Sequence, residues 1–148
     1  MHASCGTVAA TAMAPARRFV LDTSAILALR GNEPGAGRVE TILRGVPARR
    51  CRVLVSFMTR MEILYRVAAD EGEERAADAL RLLDATGVEW VSCEPAILME
   101  AARIKTRGGL SVADAWIAAT AVVRDAVLVH KDPEFRRARD VPQEPLGT

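Results

Sequence analysis

Short apolar runs of strand length, each followed by a longer stretch of helical spacing, constrain this chain more than any other feature. Phe19-Val20-Leu21 and residues 51–55, 88–92 and 126–129 supply the runs. Between them, Thr23 and Ser24 open a helix over 25–29 that Gly31 stops, and a second helix covers 39–43. Ser56 caps a long helix whose apolar face reads as Met58, Met61, Leu64, Tyr65 and Ala68, broken at Gly72. The next helix carries Ala76, Ala79, Leu80 and Leu83 on one face. Glu94-Pro95 starts a helix running to about Lys105, Ser111 opens another through Ala121, and Asp132-Pro133 opens a short last one. Strands alternating with helices predict a small parallel sheet of four to five strands covered on both faces, a three-layer α/β/α domain. Its binding site belongs beyond the carboxyl ends of the strands.

With 148 residues the chain fits one domain, and half of it is hydrophobic. The reading assigns residues 17–139 to that domain, 1–16 to a flexible N-terminal extension and 140–148 to a loose, proline-rich tail. Twenty basic residues against 19 acidic give a net charge of +1, so a polyanion must be met by a local basic patch. One Tyr, two Trp and three Phe offer few stacking platforms, which leaves phosphates as the means of holding a nucleic acid. Trp90, Trp116, Met58 and Met61 read as core. The three cysteines match no metal spacing and read as reduced thiols of a cytoplasmic protein. No apolar run approaches the ~18 residues that cross a bilayer.

Four acids stand out by position. Asp22 ends the first strand, and Asp132 follows the last. Glu62 falls in the second turn of the helix after the second strand, and Asp114 in the first turn of the helix leading to the last strand. Each has an ordinary explanation alone. Asp22 and Asp132 can cap helices, Ser111 with Asp114 fits a capping box, and Glu62 can pair with Arg66 at i+4. Together, a parallel sheet places all four at one edge. Like charges so gathered raise one another's pKa values, a cost that a divalent cation removes. An all-oxygen set suits Mg2+ or Mn2+ rather than Zn2+.

The same residues carry a family resemblance. Residues 20–25 (Val-Leu-Asp-Thr-Ser-Ala) resemble the opening strand and turn of PIN domains, and Glu62 within 61–65 resembles their second acid. Residues 110–121, with Asp114-Ala-Trp-Ile-Ala-Ala-Thr-Ala, resemble the family's most distinctive segment; 127–135 resembles the last strand and fourth acid. The resemblance runs from Phe19 to Phe135, in order, and is nearest to the VapC toxins of toxin–antitoxin pairs. It implies a metal-dependent endoribonuclease. Asp22 would be the central ligand, Asp114 and Asp132 would complete the shell, and Glu62 would bind metal or orient water. Thr23, Ser24 and Ser111 would support them. Arg60, Arg66, Arg107, Lys131 and Arg136 are the candidates for contacts to RNA phosphates. The resemblance further implies a VapB-like antitoxin partner and a homodimer. It departs at His130, where the family usually has Thr or Ser, and no terminal strand is legible in 141–148. A phosphate-accepting receiver is disfavoured because Asp22 has no acidic neighbour, and an aspartyl phosphatase because Ser24 stands where a second acid is required. The alternative is a non-catalytic RNA- or protein-binding module of the same fold.

Overall fold

The computed structural model describes residues 16–147, so nearly all of the expected N-terminal extension lies outside the described residues. Five strands form one parallel sheet: β1 (Arg17–Leu21), β2 (Cys51–Ser56), β3 (Glu89–Val91), β4 (Val127–His130) and β5 (Gln143–Pro145). The spatial order is β3-β2-β1-β4-β5. After β1 the chain builds outward through β2 to β3, then crosses to the other side of β1 for β4. The order therefore reverses between β1 and β4, and in sheets of this kind sites form at the carboxyl edge of such a point.

Every second residue along the strands faces one layer, and both faces are apolar, the pattern of a parallel sheet buried on both sides. Phe19, Leu21, Val53, Val55 and Val129 pack with residues of α1 (Thr23–Arg30), α2 (Ala36–Arg44), α3 (Phe57–Glu71) and α4 (Glu73–Ala85). Val20, Leu54 and Leu128 pack with α5 (Pro95–Arg107) and α6 (Val112–Val123). Alanines 115, 118, 119 and 121 are fully buried, which lets α6 lie close on the sheet.

Two readings of the sequence are corrected. α3 buries Thr59, Ile63 and Val67, spaced at fours, while Met61, Leu64 and Tyr65 are exposed. Met58 and Ala68 sit at the core margins. Thr59 is the reason: a polar residue holds one position of the buried stripe, so an apolar count alone selects the adjacent face. Of the residues read as core, Met61 is thus on the surface. Trp90 and Trp116 are half-buried, the first bonded through Nε1 to Asp84 at 2.6 Å and the second edge-on to Phe57.

The segment expected to be a loose tail instead carries β5, which lines up Gln143, Glu144 and Pro145 with Leu128, Val129 and His130. Val141 and Leu146 are buried, and Arg38 holds Glu144 through two hydrogen bonds of 2.8 and 3.0 Å. A three-residue edge strand with a proline has no apolar alternation, so its signal is lost in composition.

Candidate metal centre

The carboxyl edge between β1 and β4 gathers the acids. Asp22 continues β1, its N–H donating to Val129 O at 3.0 Å. It is also the N-cap of α1: Oδ2 accepts from Ser24 N at 3.0 Å and from the Ser24 hydroxyl. Ser24 Oγ in turn accepts from Lys131 N at 2.8 Å, which links the ends of the two central strands through one hydroxyl. Asp22 is 3% exposed, yet its Oδ1 is buried with no hydrogen-bond partner. A native fold rarely leaves a buried carboxylate oxygen unsatisfied.

Glu62 is presented from α3. Its Oε1 accepts from Thr23 Oγ1 at 2.8 Å, in place of a pair with Arg66 along its own helix. Thr59 Oγ1 lies 3.1 Å from the same Thr23 hydroxyl, so two buried threonines place Glu62. Ser111 caps α6, its Oγ accepting from Asp114 N at 3.1 Å. Asp132 caps a short 3-10 helix (Pro133–Arg137), Oδ1 accepting from Glu134 N at 3.0 Å. Three of the four acids thus stand at helix starts, where backbone N–H groups and the helix dipole favour negative charge.

Asp114, Asp132 and Glu134 each bring an oxygen to within 4.8 Å of the others, an arrangement that could hold a metal ion. Glu134 is not among the four acids that the sequence singles out. It sits in the first turn after a capped Asp-Pro, where an acid is expected for its effect on the helix end. Only the tight 3-10 turn brings it back beside Asp132. Asp22 and Glu62 join this group through their fields. Burial pushes the Asp114 carboxyl up to about 7, helped by the charges of Asp22, Asp132 and Glu62. Burial also pushes Asp22 up to about 6 against the lowering effect of the Ser24 bonds, with Glu62 and Asp132 adding to the rise. Two carboxyls held near neutrality beside two more acids, with an unpartnered oxygen among them, fit a hard divalent cation.

The basic candidates scatter. The Arg60 guanidinium stacks 4.2 Å from the Trp90 ring, and Arg107 pairs with Asp140 at 2.8 Å. Arg66 lines a polar cavity of about 600 Å³ with Arg30, Glu71 and Asp70. Lys131 reaches Glu33 at 3.4 Å, and Arg136 is exposed beside the Asp132 turn. Along the chain, Lys131 and Arg136 flank Asp132, as Arg60 and Arg66 flank Glu62.

No curated protein sequence matches the chain. Solved structures share its fold: VapBC2 from Rickettsia felis bound to a DNA fragment from its promoter has a TM-score of 0.71 at 18% identity, covering 88% of this chain and 99% of that one. VapBC-1 from nontypeable Haemophilus influenzae gives 0.67 at 24% identity, covering 86% and 97%. Mycobacterium tuberculosis VapC20, described as a sarcin-ricin-loop-cleaving toxin, gives 0.64 at 18%, covering 81% and 94%. The model of the PIN domain matches residues 19–141, from β1 to the buried Val141 before β5. That span takes in every acid of the site, and the chain belongs to the PIN domain family.

Proposed function

We propose that this chain is a metal-dependent endoribonuclease and the toxin of a VapBC-type toxin–antitoxin pair. The observation that carries the proposal is the buried, unpartnered Asp22 Oδ1, on a carboxyl that, like that of Asp114, is driven up in pKa first by burial and then by the neighbouring acids. A bound Mg2+ or Mn2+ supplies a lowered pKa for water and neutralises charge on the phosphate. Asp22 is the central ligand, with Asp114 and Asp132 completing the shell. Glu62, fixed by Thr23, binds metal or orients the attacking water. Ser24 holds Asp22 and the β4 end together, and Ser111 fixes the turn bearing Asp114. Arg136 is the favoured phosphate contact, while Arg60, Arg107 and Lys131 are engaged by Trp90, Asp140 and Glu33.

Solved structures that share this fold include VapBC complexes, which supports an antitoxin partner. A VapB-like protein is the proposed partner, with the toxin itself a homodimer in the cytoplasm. Among the described residues, no helix is long and apolar enough to cross a membrane. The test is cleavage of total RNA by purified protein with Mn2+, with excess chelator, and with Asp22→Asn. Cleavage that survives chelation or the substitution removes the mechanism. A folded chain that binds Mn2+ but leaves RNA intact favours the non-catalytic module.

A further inference from the structure

We propose that His130 and Gln143 form a positioning pair for Asp132, in which Gln143 fixes the Nε2–H tautomer of the His130 ring so that Nδ1 accepts the Asp132 backbone N–H. The inference rests on the metal-dependent reading above and assigns a task to the position where the chain departs from its family's usual hydroxyl.

Hydrogen-bond logic fixes each proton. One end of the Gln143 amide faces three backbone carbonyls: Phe135 at 3.1 Å, Ala138 at 3.0 Å and Val141 at 3.3 Å. Carbonyls only accept, so that end is the NH2 group. Gln143 Oε1 therefore faces His130 Nε2, at 2.8 Å, and needs a proton there. The other ring nitrogen, Nδ1, lies 3.3 Å from Asp132 N, which only donates. Nδ1 must then be bare. The doubly protonated ring is disfavoured because its Nδ1–H would point at another N–H. The ring is 2% exposed and packs 4.9 Å from the Phe135 ring, so no water substitutes for either partner.

The consequence falls on the site. The Asp132 N–H is anchored by Nδ1 and its Oδ1 by Glu134 N, so backbone and carboxylate are both set before any ion arrives. A Thr or Ser hydroxyl could accept the same N–H but could not reach β5. The longer imidazole makes the edge strand part of the support, reinforced by Leu146 N donating to His130 O at 2.7 Å.

The experiment has two arms on the full chain. A long-range 1H–15N spectrum of the histidine-labelled protein at pH 7.5 without metal, with a His2→Ala variant to assign signals, should show His130 with Nε2 protonated and Nδ1 bare. An Nδ1–H tautomer or a charged ring overturns the proposal. Mn2+ titration by electron paramagnetic resonance should show Gln143→Leu and His130→Ala losing about ten- to hundredfold in affinity. His130→Asn, whose Oδ1 stands in for Nδ1, should recover most of it. Affinity unchanged in folded Gln143→Leu, checked by circular dichroism, overturns the pair while leaving the metal reading intact. Absence of Mn2+ binding by the native chain removes that reading itself. Should His130→Ala fail to fold, the native spectrum and Gln143→Leu decide.

Discussion

Replacing Asp22 by Asn should stabilise the metal-free protein while destroying its activity. The Asp22 carboxyl has a pKa of about 6 in the fold against 3.8 as the reference value. A folded-state pKa raised above the unfolded one contributes stability that is fully present below the unfolded pKa and lost as pH rises through the folded value. At pH 8 the native chain has lost all of that contribution, on the order of 3 kcal/mol at 1.36 kcal/mol per unit. Asn copies the neutral acid in shape, keeps an oxygen for Ser24 N and remains a good helix N-cap. The variant therefore escapes the loss. At roughly 2–4 °C per kcal/mol for a chain of this length, Tm at pH 8 should rise by about 6–12 °C. The gain should shrink as pH falls through about 6 and vanish below 3.8. Saturating Mn2+ should invert the order, because a ligand that binds only the folded native chain stabilises it by mass action. The assay is thermal unfolding by circular dichroism across pH, with and without Mn2+, beside RNA cleavage. A variant less stable than the native chain at pH 8, or one still stabilised equally by Mn2+, contradicts the argument.

Metal affinity should climb steeply with pH between 6 and 7, because Asp22 and Asp114 must both lose protons to bind; isothermal titration with Mn2+ at several pH values reads this, and a flat profile contradicts it. Ile63→Ala, at a 1% exposed site, should cost about 2–4 kcal/mol, whereas Met61→Ala, half-exposed on the same helix, should stay within about 0.5 kcal/mol in urea unfolding. Glu134→Gln should weaken Mn2+ binding without loss of Tm, and equal affinity would exclude it from the metal's surroundings. Removing residues 141–148 should lower Tm by several degrees, since it exposes the site of Val141 and Leu146 and strips Gln143 from three carbonyls.

The parallel sheet was legible because strands buried on both faces read as unbroken apolar runs, and such runs cannot lie on a surface. Phe19, Val20 and Leu21 send alternate side chains into opposite layers, and all three needed to be apolar. What the sequence hid has a common physical form: a polar residue doing the work of a buried one. Thr59 occupies the core stripe of α3 because its hydroxyl lies beside that of Thr23. His130 is buried in β4 with both ring nitrogens satisfied. Gln143 makes an edge strand hold through its side chain where its composition offers no strand signal. Such partners come from distant segments, so no local period records them.

The acids show why the ordinary and the chemical explanations of a residue need not compete. A helix N-cap requires a short side chain with an acceptor oxygen, at the carboxyl end of a strand where a helix begins. A cation site requires carboxylates at the same edge, where the strand order reverses. In Asp22 one oxygen meets the first demand, and on the proposed reading the other, which has no partner, meets the second. The cap fixes the side chain's rotamer, so the free oxygen is aimed without any further support. Asp132 divides its task the same way, Oδ1 capping and the group as a whole facing Asp114 and Glu134. Helix starts supply both the geometry that orients these carboxylates and the positive potential that tolerates them together. The fold thus concentrates negative charge at an edge where its own backbone offsets part of the repulsion, and on the proposed reading an ion neutralises the remainder.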